Sequence, residues 1–75
     1  MSDHVYKTIE ITGSSTKSIE DAVHTAVAKA SKTIRNVRWF EVISTRGEIE
    51  KKAVKYWQVT MKLGFGIDEK SGSGD

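Results

Sequence analysis

Residues 35–47, RNVRWFEVISTRG, constrain the fold of this chain more than any other stretch. They read as a β-strand with a tryptophan on the wrong side. Side chains alternate along a strand, so Val37, Trp39, Glu41, Ile43 and Thr45 point one way. Arg38, Phe40, Val42, Ser44 and Arg46 point the other. Neither set is cleanly polar, so both faces require cover, and the sequence offers one helix to provide it. What covers the second face is the functional question.

Seventy-five residues make one small domain, expected over residues 1–67, with a flexible tail, DEKSGSGD, at 68–75. A chain this size buries only about 60–65% of its unfolded surface, which leaves a monomer marginal. There is no cysteine, hence no disulfide or thiolate zinc site to compensate. Oligomerisation is the remaining common remedy and is expected here. The start MSDHVYK has no apolar run and nothing approaches a membrane span, so a cytoplasmic protein is the expectation. Twelve basic side chains against ten acidic ones give a net charge of +2. That is too near balance to be a nucleic-acid signature.

The elements follow from periodicity. Residues 4–12 form a first strand, with Val5, Ile9 and Ile11 on one face and Tyr6, Thr8, Glu10 and Thr12 on the other. Residues 12–15, TGSS, carry turn chemistry and end it. A helix runs from Ser18 to about Arg35, capped by Ser18, with Glu20 and Asp21 at its positive end. Ile19, Val23, Ala26, Val27, Ala30 and Ile34 form its buried stripe, and Ala22, Ala26, Ala28 and Ala30 permit close approach to a sheet. About seventeen residues span roughly 25 Å, enough to cross three strands. The second strand, residues 37–45, runs on past Gly47 with a bulge or bend at that glycine, and the hairpin turn falls near residues 50–52. The third, residues 53–67, has the cleanest alternation: Trp57, Val59, Met61, Leu63, Phe65 and Ile67 face the helix.

The fold class is therefore α+β, a β-α-β-β chain. Its three-stranded, antiparallel-type sheet, in the order 2-3-1, packs on one helix. Phe40 and Val42 join the core under that helix. The far face carries Trp39, Glu41, Tyr56, Gln58 and Thr60.

Each notable residue has a plain reading beside a functional one. Trp39 is either a protein-interface anchor or a platform for a planar ligand. Gln58, beside it on that face, is a solvated strand position or an amide that reads the edge of a stacked heterocycle. Arg46 holds a phosphate or carboxylate, or pairs across the hairpin. Tyr6 is a surface aromatic or a ligand contact. Lys29, Lys32 and Arg35 complement the helix dipole. No catalytic site is expected: the chain has two histidines twenty residues apart and no G-x-S-x-G or phosphate loop. No metal site is expected either, because nothing near His24 offers a second ligand.

HVYKTIEITGSS, SIEDAVHTAVAKASKTIRNV, WFEV, TRG and YWQVTMKLGF together resemble the dodecins, small flavin-binding proteins of bacteria and archaea. The resemblance covers residues 3–67. It implies a non-enzymatic protein that stores or sequesters flavin (FMN, riboflavin or lumichrome) in a hollow homododecamer with 23 symmetry. Flavin pairs would sit between two symmetry-related copies of Trp39, with Gln58 on the ring edge and Arg46 near the ribityl phosphate end. Photochemistry of the bound ring would be quenched. Tyr6, Arg38, Lys29 and Lys32 are further candidate contacts, and some family members also bind coenzyme A. The alternative is an oligomeric interaction module without flavin. Three departures stand out. The family's GFR is Gly64-Phe65-Gly66 here, which favours flavins lacking a phosphate. Arg38 stands where a small acidic or polar residue is common and adds positive charge. Trp57 replaces a tyrosine, on the helix side.

Overall fold

The computed structural model describes residues 4–67. In order it has β1 (Tyr6–Ser15), α1 (Ile19–Ser31), β2 (Val37–Glu50) and β3 (Ala53–Gly66). One three-stranded sheet has the order β1-β3-β2, with both outer strands antiparallel to β3. The expected fold class and strand order hold. The tail expected at residues 68–75 lies outside the described residues.

Local chemistry sets the element ends. Ser18 caps α1, its hydroxyl accepting from the Asp21 amide at 3.0 Å, which satisfies one of the free donors of the first turn. Buried Ser15 ties the strand end to the helix start. Its Oγ donates to Asp21 Oδ2 at 2.7 Å and accepts from the Lys17 amide at 2.8 Å. α1 ends four residues before Arg35. The last turn tightens, with Lys32 N–H on Lys29 and Thr33 N–H on Ala30, the three-residue step typical of a closing helix. Asn36 then takes a left-handed φ of 64° and turns the chain into β2. The β2–β3 hairpin closes on Lys51 and Lys52, both at positive φ (55° and 67°), as a two-residue turn between right-twisted strands requires.

β1 does not stop at Thr12. It continues through Gly13 to Ser15, in register with Val59, Gln58 and Trp57. Gly13 marks a close approach and not a turn. A Cβ there would lie 2.7 Å from both the Ala22 carbonyl oxygen and the Ala26 Cβ. The helix seats on this glycine, so Ala22 and Ala26 are buried with Val59, Met61 and Leu63. Ile9, Ile11, Val23, Val27, Ala30 and Val37 pack around them. Ile19 and Ala28, expected in the contact, are exposed.

Seating α1 over β1 and β3 leaves much of β2 outside its cover. At thirteen residues the helix is about 20 Å long. Phe40 and Val42, expected in the core, are 49% and 43% exposed on the helix side of the sheet. They extend the apolar surface that α1 protects without being protected themselves.

β2 is also less regular than alternation suggests. Its register with β3 shifts between Val37 and Trp39 and again between Val42 and Ser44, so Arg38 and Ile43 are extra residues. A third shift near the tip adds Lys55 to β3. The irregularities lie at these positions and not at Gly47. Each extra residue reverses which face the following side chains occupy. Val37 therefore pairs with Phe65 on the helix side, and Arg46 pairs with Gln58 on the far side. Strict alternation gave the opposite face for both.

Candidate ligand-binding face

The face away from α1 is defined by the even-numbered residues of β3, which alternate with the buried Val59, Met61 and Leu63. Across from them β2 contributes Trp39 beside Gly64, Glu41 beside Lys62, Ser44 beside Thr60, Arg46 beside Gln58 and Glu48 beside Tyr56. β1 adds Tyr6 beside Gly66, Thr8 beside Gly64 and Thr12 beside Thr60. Thr12 and Thr60 hydroxyls share a hydrogen bond at 3.0 Å. Apart from the three aromatic rings of Trp39, Tyr6 and Tyr56, it is a polar surface.

Trp39 is held there by a missing side chain. A Cβ built on Gly64 would fall inside its indole, so the ring lies directly on the strand backbone and buries Gly64. Tyr6 meets the indole edge-on, with ring centroids 6.2 Å apart and planes at 69°. A T-shaped pair of this kind is favourable for aromatic quadrupoles. The indole stays 39% exposed. It is a half-open, braced aromatic plate.

The second cluster stands at the other end of the same face. Arg46 Nε donates to Gln58 Oε1 at 3.0 Å, and the Tyr56 hydroxyl donates to Glu48 Oε1 at 2.6 Å. The bond to Glu48, and the nearby negative charge of that carboxylate, raise the Tyr56 pKa, while Arg46 lowers it. Gln58 does not adjoin Trp39 in the same chain. Gln58 lies six positions from Gly64 along β3, about 20 Å at the rise of a strand. The two share a face, but one chain cannot bring both to a single three-ring heterocycle.

The remaining candidates divide between the two sides. Tyr6 is gathered to Trp39. Arg38 precedes it as an extra residue and lines, with Ile34, Arg35 and Val37, a hollow of about 480 Å³. Lys29 lines another, of about 440 Å³, with Ile11 and Gly13 of β1 and Thr25 and Ala26 of α1. Lys32 is the residue that closes α1. Both lysines belong to the helix side, away from Trp39. Alternation alone does not mark Gly64 as a functional residue. Its signal was a glycine inside a strongly alternating strand. Among the described residues no group of three or more His, Cys, Asp or Glu side chains could hold a metal, and no helix is long and apolar enough to cross a membrane.

Comparison with known proteins gives a consistent result. The dodecin family profile matches residues 5–68. The dodecin of Thermus thermophilus is 43% identical over 65 residues, which cover 87% of this chain and 94% of that protein. The structure of the Streptomyces coelicolor dodecin superposes with a TM-score of 0.86 at 46% identity, over 93% of this chain and all of the other. That of Streptomyces davaonensis gives 0.85 at 40% identity, over 91% of this chain and all of the other.

Proposed function

The chain belongs to the dodecin family, and from that premise we propose that it binds flavins between copies of itself, stores them and quenches their photochemistry. The observation that carries this reading is the exposed Trp39 indole lying flat on Gly64 and braced by Tyr6. Fixing the plane of the ring in advance lowers the ordering cost of stacking a planar ligand on it. Stacking of a base on an aromatic side chain, a close analogue, is worth roughly 1–3 kcal/mol per ring.

The 20 Å gap between Trp39 and Gln58 fits an assembled site. An indole from one copy and the amide of a second copy meet the same ligand, so the protomer alone is incomplete. The homododecamer with 23 symmetry implied by the resemblance supplies such interfaces, and in it two Trp39 indoles enclose a pair of rings. Flavin contributes a planar ring that absorbs visible light. Trp39, in van der Waals contact, donates an electron to the excited ring and takes it back, which dissipates the energy. Gln58 fixes the ring edge, and the neighbouring copy excludes water. The role this reading assigns is storage in the cytoplasm and not catalysis, as the resemblance to the family implies.

Position 66 bears on which flavin is preferred. A Cβ on Gly66 would meet nothing within 4 Å, so there is room for a side chain beside Tyr6 and Trp39, and this sequence leaves it unused. With no cation at that spot, riboflavin and lumichrome are favoured over FMN. Lys29 and Lys32, the lysines available to coenzyme A phosphates, would serve a separate site on the helix side.

Titration of riboflavin with the purified protein tests the proposal. Its fluorescence should fall as it binds, and Trp39→Ala should abolish both binding and quenching while native mass spectrometry shows the assembly intact. Unchanged flavin fluorescence at saturating wild-type protein would overturn the reading and leave the alternative, an oligomeric interaction module without flavin.

A further inference from the structure

The Arg46–Gln58 bond resolves an ambiguity in Gln58. A glutamine amide offers a donor at one end and an acceptor at the other, and which end faces a partner depends on its surroundings. Guanidinium has donors only, so the atom that meets Arg46 Nε at 3.0 Å is the amide oxygen. The two residues are direct partners across the β2–β3 ladder, so the bond needs no unusual reach by either side chain. Arg46 is there because Ile43 is an extra residue in β2. Without that bulge the guanidinium would point to the helix side. Glu48, the next carboxylate on this face, already accepts from Tyr56.

We propose that Arg46 is a positioning residue for Gln58: by holding Oε1 it turns Nε2 and its two protons outward to the ligand. This rests on the flavin reading above and sharpens it. Gln58 then presents N–H donors, with only the second lone pair of its oxygen left to accept. The ring edge that docks must bring a carbonyl oxygen next to an N–H, as the imide edge of a flavin does. An edge with an amino group in place of the carbonyl meets donor against donor and is refused. Arg46 therefore acts on the ring, through Gln58, and not chiefly on a phosphate.

The two roles of Arg46 separate cleanly in solution. Riboflavin, FMN and lumichrome are titrated by fluorescence against wild type, Arg46→Ala, Arg46→Lys, Gln58→Ala and the Arg46→Ala/Gln58→Ala double variant. Lumichrome has neither ribityl chain nor phosphate, so it reports on the ring alone. Positioning predicts that Arg46→Ala weakens all three ligands by a similar factor, roughly five- to tenfold. Arg46→Lys should fail to restore lumichrome binding, because it keeps the charge but lacks the planar N–H fork. The double variant should bind no more weakly than Gln58→Ala alone. A loss confined to FMN and rescued by lysine, or losses that add in the double variant, would overturn the proposal while sparing the flavin reading. Wild-type protein that binds none of the three would overturn both.

Discussion

The indole of Trp39 rests on the backbone of Gly64, its partner across the β2–β3 ladder, with no side chain between them. The contact fixes the height and plane of the ring above the sheet. Thr8 flanks Gly64 on the other side, and Tyr6 closes the indole edge. A ligand that stacks on Trp39 thus meets a surface whose geometry belongs to the backbone.

Gly64→Ala should therefore behave like a binding-site mutation although position 64 carries no functional group. The added methyl occupies space the indole now fills, and the ring has to lift or rotate. Flavin affinity is expected to drop at least tenfold, with part of the quenching lost. Gly66→Ala, two residues along on the same face, meets open space and should change affinity less than twofold. Parallel fluorescence titrations of the two variants check the contrast. Equal losses would mean that the effect comes from strand flexibility and not from the indole.

At Gly13 the same substitution should cost stability. Its Cβ would press on the Ala22 carbonyl and the Ala26 methyl at 2.7 Å. A backbone carbonyl cannot rotate away, so α1 has to shift off the sheet. Overpacking of this kind costs about 1–3 kcal/mol. The midpoint of denaturant unfolding should fall accordingly at fixed protein concentration. Flavin-site geometry should be less affected, because the contact lies on the opposite side of the sheet.

What the chain's pattern disclosed and what it hid have different physical origins. The alternation of Val59, Met61 and Leu63, and the cap at Ser18, express local rules and were legible. So was the outward placement of Trp39 and Gln58. The two bulges of β2 were not, because both faces of that strand mix apolar and polar residues and the pattern does not single out Arg38 or Ile43 as extra, so strict alternation puts Arg46 on the wrong face. Gly13 looks like a turn in the sequence because glycine's lack of a side chain serves turns and close helix contacts alike. Phe40 and Val42 look like core residues, and a pattern cannot tell a core within one chain from one shared between copies.

Tyr56 gives a pH-dependent test of the polar end of the site. Its hydroxyl donates to Glu48, so the neutral phenol is favoured and its pKa is raised above the ordinary tyrosine value of about 10. The folded state thus holds this proton more tightly than the unfolded one. The contribution is fully present below the unfolded pKa and is lost as pH rises through the higher folded value. Ultraviolet titration of the phenolate band should show one tyrosine ionising late. Glu48→Gln should bring that transition down toward the ordinary range, and a late transition surviving in that variant would show that the Glu48 bond is not its cause.

Phe40 and Val42 provide the test of assembly. They sit on the helix side of the sheet, 49% and 43% exposed, next to Leu63 and Met61, which are fully buried. An apolar surface that continues a core without cover marks an interaction surface, and a chain of this size needs added burial to be stable. A neighbouring copy covering this strip would bury both side chains, each worth about 1.5–3 kcal/mol on full burial. Phe40→Glu would place a charge in that interface and should convert the oligomer to smaller species on native mass spectrometry. Because the indole plate and the Gln58 amide come from different copies in the proposed site, the same variant should also lose flavin binding with Trp39 and Gln58 intact. Retention of the full assembly by Phe40→Glu would show that copies meet elsewhere on the surface.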